Sequence, residues 1–158
     1  MKFKTLLLRY FTITLFLVLT LPFVSLAEAE KMDDEIRRFF DAYNASFLES
    51  PEAVAKFYNE PCVTARMGVP NLNPTRQDTI NFFGPVLERY RSRGWAYGEI
   101  LSLEHRALGI NSILATVRWA YKNKDGNTLW EWTFSYNLYK SEGGWKILLQ
   151  TMHDSQPG

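Results

Sequence analysis

Few side chains in this sequence could move a proton near neutral pH. There are two histidines, His105 and His153, and one cysteine, Cys62. Glu99 opens one strand-like run and His153 closes another. A carboxylate and an imidazole facing each other across an apolar cleft could do general acid–base work. Alternatively, Glu99 is solvated at a strand start and His153 caps the last strand. His105 could add a second polar spot if Tyr136 reaches it, or serve as a structural histidine. Cys62 sits in the apolar stretch PCVTA just after a proline and reads as buried and inert. No metal-ligand spacing, phosphate-cradling glycine loop or nucleophile elbow is present. The sequence therefore calls for no metal and no cofactor.

Rings are the other chemical resource. TLWEWTFSYNLY, residues 128–139, carries Trp130, Trp132, Phe134, Tyr136 and Leu138 at every second position. Tryptophan and tyrosine bring N–H and O–H groups that want partners when buried. A face this rich in rings can wall a small-molecule pocket as well as fill a core. Trp119, Tyr121, Trp132 and Tyr136 are the candidate wall on the sheet, with Tyr43 and Tyr58 added from helices.

The elements that must position these groups follow from periodicity. DDEIRRFFDAYNASFLES spaces Ile36, Phe39, Phe40, Tyr43 and Phe47 as one face of a helix. Ser50-Pro51 opens a second, short helix with Val54, Phe57 and Tyr58 on its apolar side, ended by Pro61. CVTARMG reads as a short strand. Thr75 to Asp78 resembles a capping box. It starts a third helix that Gly84-Pro85 should kink or break. From Trp95 the period becomes two, with strand-like runs near 96–107, 112–122, 128–140 and 144–152. Helices followed by antiparallel strands make an α+β layout.

Asp125-Gly126 predicts a two-residue hairpin turn with Lys124 opposite Asn127. Counting outward pairs Tyr121 with Trp130, Trp119 with Trp132, Val117 with Phe134, Ala115 with Tyr136 and Ile113 with Leu138. Arg118 and Thr116 then face Thr133 and Ser135 on the other side, with Glu131 diagonal to Arg118. The turn at Glu142-Gly143 adds Trp145, Ile147, Leu149, Thr151 and His153 to the ring-rich face, with His153 opposite Trp132. The more apolar choice for the first hairpin adds Glu99, Leu101, Leu103 and His105. Glu99, Trp119, Trp132 and His153 then form one row, about 14 Å long on a flat sheet.

The start of the chain carries Lys2, Lys4 and Arg9, an uncharged apolar run, and small residues at Ser25, Ala27 and Ala29. This pattern reads as a signal peptide over residues 1–29, followed by one domain over 30–158, exported to the periplasm or beyond the cell. The membrane would be touched only through an uncleaved leader. The 18 basic and 17 acidic residues nearly balance, which argues against a nucleic-acid partner. Arg89, Arg91 and Arg93 read as a solvated helix end.

The order of elements, with FFDAYN in the first helix and KSEGGWKILL in the last hairpin, resembles the nuclear transport factor 2-like superfamily. That superfamily includes ketosteroid-isomerase-like and SnoaL-like proteins. Ala115-Thr116-Val117-Arg118-Trp119 and Gly144-Trp145-Lys146-Ile147 carry the resemblance over about residues 32–154. It implies a cone-shaped, cystatin-like α+β fold with a bent sheet around a long helix and a pocket at the open end. It also implies homodimers through the outer sheet face, and makes His153 the nearest counterpart of a histidine common after the last strand. The superfamily holds both enzymes and binding modules. Three functions stay open: an exported module binding a small apolar or aromatic molecule; a cofactor-free isomerase, cyclase or dehydratase using Glu99 or His105 with His153; or a dimeric structural module without a ligand.

Overall fold

The computed structural model describes residues 26–154, and the expected leader falls almost wholly outside them. The chain divides into two units, Met1–Ile36 and Arg37–Gly158, and every strand belongs to the second. Helix α1 (Leu26–Glu49) begins in the first unit and continues into the second. It is followed by α2 (Pro51–Ala55), β1 (Tyr58–Arg66), β2 (Val69–Asn73), α3 (Arg76–Ser92), β3 (Tyr97–Gly109), β4 (Ser112–Lys122), β5 (Thr128–Ser141) and β6 (Gly144–Met152). The strands form one sheet in the order β2-β1-β6-β5-β4-β3. β1 runs parallel to β6, and the other neighbours are antiparallel. This is the expected α+β class, with two more strands than the four long runs.

Local chemistry accounts for the helix starts. The Ser50 side chain accepts from Ala53 N–H, with Pro51 in the first turn of α2. Thr75 and Asp78 close the capping box of α3. One helix boundary needs correction. The second helix stops at Ala55, so Tyr58 lies in a strand. The Phe57 carbonyl accepts the Ile147 N–H at 2.8 Å, which draws the chain into the sheet. Of the kink or break expected at Gly84-Pro85, the break does not occur: α3 is one helix through Pro85. The carbonyl that proline cannot serve belongs to Asn81, and Asn81 and Pro85 are both exposed, so water can satisfy it.

The β4–β5 register matches the expected pairing from Ile113↔Leu138 to Tyr121↔Trp130. The turn itself is longer than expected. Asn123 and Asn127 close it through an N–H···O bond of 3.0 Å, and the Asn123 side chain accepts from Asp125 and Asn127 N–H. The extra turn residue is offset by a bulge at Leu129, between Lys122↔Thr128 and Tyr121↔Trp130. The two irregularities cancel, and the faces come out as predicted.

Two further bulges do not cancel. In β6 the register slips at Leu148, from Leu138↔Ile147 to Asn137↔Leu149. Gln150 and Met152 then share the face of Tyr136 and Phe134, while Leu149, Thr151 and His153 turn to the opposite side. In β3 the slip at Leu101 places Gly98 and Ile100 beside Tyr121 and Trp119, and Leu103 and His105 beside Val117 and Ala115. Glu99 pairs with Ala120 and leaves the ring-rich face. Each bulge inverts every side chain up to the next irregularity.

The ring-rich face is covered by α1. Phe40 lies 5.0 Å from Tyr136 and 6.3 Å from Trp119, centroid to centroid, and Tyr43 lies 5.9 and 6.4 Å from the same rings. Asn44 donates to the Gly98 carbonyl at 2.8 Å and ties α1 to β3.

Candidate functional site

One well-formed cavity of about 120 Å³ opens on this face. Its sheet wall is Trp119 and Tyr121 of β4, Trp130, Trp132, Phe134 and Tyr136 of β5, and Gln150 and Met152 of β6. Tyr43, Asn44 and Phe47 close it from α1, and Phe82, Phe83, Val86, Arg89, Tyr90 and Arg93 from α3. The α3 side chains recur at helical spacing, so they fall on adjoining stripes of one helix surface. β1 contributes Thr64, Ala65 and Arg66.

Backbone devices aim these groups. α3 ends at Arg93 with Gly94 at φ +83. Gly94 N–H bonds the Arg91 carbonyl and Trp95 N–H bonds the Tyr90 carbonyl, a Schellman closure. That turn lays Trp95 against Tyr90, with centroids 5.9 Å apart, on the cavity wall. Arg66 ends β1 at a two-residue turn, Met67 and Gly68, both with positive φ. A primed turn of this kind matches the twist of the flanking strands.

The interior polar groups form a chain of phenols. Trp119 Nε1 donates to Tyr136 Oη at 3.1 Å. The Tyr136 and Tyr43 rings lie 5.9 Å apart, and the Tyr43 and Tyr58 hydroxyls 2.8 Å apart. Tyr58 donates to Gln150 Oε1. Burial, first of all, pushes the Tyr43, Tyr58, Tyr121 and Tyr136 phenols well above their ordinary range. Tyr90 is raised as well: burial outweighs its hydrogen bond to Tyr121 and the positive charges of Arg66, Arg89 and Arg93. Among the described residues no carboxylate and no histidine lines the cavity.

Of the six ring candidates, Tyr43, Trp119, Tyr121, Trp132 and Tyr136 are on the wall, while Tyr58 is buried behind it and braces Tyr43 and Gln150. The acid–base candidates are not brought together. Glu99 forms an ion pair with Lys122 away from the ring-rich face. His153 Nε2 lies 2.8 Å from Ser135 Oγ, which itself meets Thr116 on the opposite side of the sheet. His105 stands opposite Ala115, as expected for an inward position, but does not line the cavity. The expected row Glu99–Trp119–Trp132–His153 does not exist, because the bulges at Leu101 and Leu148 turn both of its ends outward.

Two other expectations resolve simply. Arg118 and Glu131 form the exposed cross-strand pair at 2.5 Å. Cys62 is buried against Thr79, and burial pushes its thiol up. No described group of His, Cys, Asp or Glu could hold a metal ion, and no described helix is long and apolar enough to cross a membrane. Arg89, Arg91 and Arg93 are exposed at the end of α3, as expected, and Arg89 and Arg93 also border the cavity with Arg66. The four-residue spacing of Arg89 and Arg93 was the available signal. Nothing local pointed to Arg66.

A family model described as NTF2-like protein (DUF6841) matches residues 33–155. The chain belongs to this family. Solved structures agree on the fold of this NTF2-like chain. An NTF2-like protein with a cystatin-like fold from Novosphingobium aromaticivorans is 12% identical, covers 88% of this chain and 94% of that one, and has a TM-score of 0.66. A protein of unknown function with a cystatin-like fold from Nostoc punctiforme is also 12% identical, covers 78% and 91%, and scores 0.65. An NTF2-like protein of unknown function from Shewanella oneidensis is 16% identical, covers 77% and 98%, and scores 0.61. At these identities the likeness carries the NTF2-like, cystatin-like fold and no activity. None of the curated proteins matches the chain.

Proposed function

We propose that this NTF2-like protein is an exported binding module that holds a small apolar or aromatic molecule in the ring-walled cavity. One observation carries the reading: a cavity of about 120 Å³ walled by indoles and phenols, whose ionisable groups are guanidiniums and phenols with raised pKa. An apolar cavity of about 150 Å³ is known to accept benzene, so a single ring is the right scale. Acid–base catalysis needs two groups converging on one ligand position and titrating near the working pH. The wall offers no such pair among the described residues, and Glu99 and His153 lie on the other side of the sheet. Binding is the better-supported reading.

The test is isothermal titration of the purified protein with benzamide, a neutral one-ring probe. Trp132→Ala should weaken binding about tenfold or more, because it removes stacking area from a desolvated wall, while the circular dichroism spectrum stays native. His153→Gln and Glu99→Gln should leave the affinity within twofold. Equal affinity in Trp132→Ala and wild type would count against the cavity as the binding site.

A further inference from the structure

Three guanidinium groups share one part of the cavity wall. Arg89 and Arg93 are one helical turn apart near the end of α3, and Arg66 comes from the tip of the β1–β2 hairpin. All three charges act on the Tyr90 phenol, so they surround one region. Like charges gathered this way repel one another. Some cations elsewhere are paired: Arg37 with Asp41, Arg76 with Glu60, Arg118 with Glu131 and Lys122 with Glu99. Among the described residues, Arg66, Arg89 and Arg93 form no side-chain ion pair, and no acid stands on the wall. The indole N–H groups of Trp95 and Trp130, both on this wall, are buried without an acceptor in the described chain. The wall's unmet capacity is thus positive charge and hydrogen-bond donors, set beside stacked rings: Tyr121 and Trp130 lie 5.5 Å apart at 19°.

Building on the binding reading above, we propose that the ligand is a one-ring aromatic carboxylate whose anion is held by Arg66, Arg89 and Arg93 while its ring stacks in the indole-lined part of the cavity. The planar guanidinium fork matches a carboxylate in two parallel hydrogen bonds, so even at the solvent-facing rim, where all three arginines are exposed, it suits an anion better than lysine would. A cavity of about 120 Å³ accommodates one ring and its acid group, not a long chain.

The test compares benzoate with benzamide, which has nearly the same shape and no charge, by isothermal titration of the purified protein at pH 7. Benzoate should bind at least tenfold tighter. Arg66→Gln, Arg89→Gln and Arg93→Gln should each weaken benzoate about three- to tenfold and leave benzamide within twofold. The triple variant should bring the ratio of the two affinities to about one. Raising the salt should shrink the ratio in wild type, since these groups are partly exposed. If both compounds bind equally, or the arginine variants leave benzoate unchanged, the carboxylate assignment falls while the cavity stands. If neither compound binds, both this assignment and the binding reading fall.

Discussion

The cavity's chemistry is set by which protons can leave its wall and the phenol braced behind it. Tyr43, Tyr58, Tyr121 and Tyr136 keep theirs, because an ionised phenol in this ring-packed interior would lose its hydration without gaining a cation beside it. The consequence for stability has a definite sign. In the unfolded chain these phenols lose protons near pH 10, while in the fold they retain them to higher pH. Their contribution is therefore complete below about pH 10 and is lost as the pH rises above it. An alkaline titration should show tyrosinate absorbance from these residues appearing together with the loss of near-ultraviolet circular dichroism. If Tyr43, Tyr58, Tyr121 and Tyr136 ionised near pH 10 with the tertiary signal intact, the buried phenol chain would be refuted. The same residues show how far a face can be assigned from sequence. Five of six ring candidates stand on the wall, because strand periodicity in β4 and β5 and helical periodicity in α1 assign faces directly. Tyr58 fell outside because a five-residue helix gave way to a strand.

At the scale of elements, bulges decide which residues meet. Alternation in KILLQTMHD points Thr151 and His153 inward, yet one extra residue at Leu148 sends them out and brings in Gln150 and Met152. The exchange places an amide where the Tyr58 hydroxyl can reach it. It also replaces Thr151 by Met152 against Phe134. The joint between α1 and β3 is a second element-level device. A Cβ at Gly98 would sit 2.4 Å from Asn44 Oδ1, so Gly98→Ala forces Asn44 to swing away and give up its bond to the Gly98 carbonyl. We expect a loss of about 1–2 kcal/mol, a few degrees in Tm. Asn44→Ala removes the obstruction, so the double variant should be hardly less stable than Asn44→Ala alone. Additive losses in the double variant would show that the Gly98–Asn44 contact is not the cause.

For the molecule as a whole, the sheet order β2-β1-β6-β5-β4-β3 places the β1–β2 hairpin on the far side of β6 from the ring-rich strands. That arrangement lets Arg66 reach the same cavity as Arg89 and Arg93. Export, proposed from the basic leader and the small residues at Ser25, Ala27 and Ala29, also belongs to this scale. Intact-mass measurement of the protein recovered from an exporting host should show a start at Glu28 or Glu30. Retention of Met1 in the recovered protein would contradict it.

Hydrophobic period and capping chemistry alone determined the α+β class, the helix caps and which residues of β5 share its ring-rich face. Each of these depends on residues near one another in sequence. Only the tertiary structure decided the fates of Glu99, His153 and Arg66. A bulge is one added residue that hardly alters composition or hydropathy but inverts the side chains beyond it, and the parallel β1–β6 contact joins residues 86 to 89 positions apart. Local pattern carries no record of either, because both are selected by how the whole sheet buries its rings and satisfies its buried phenols.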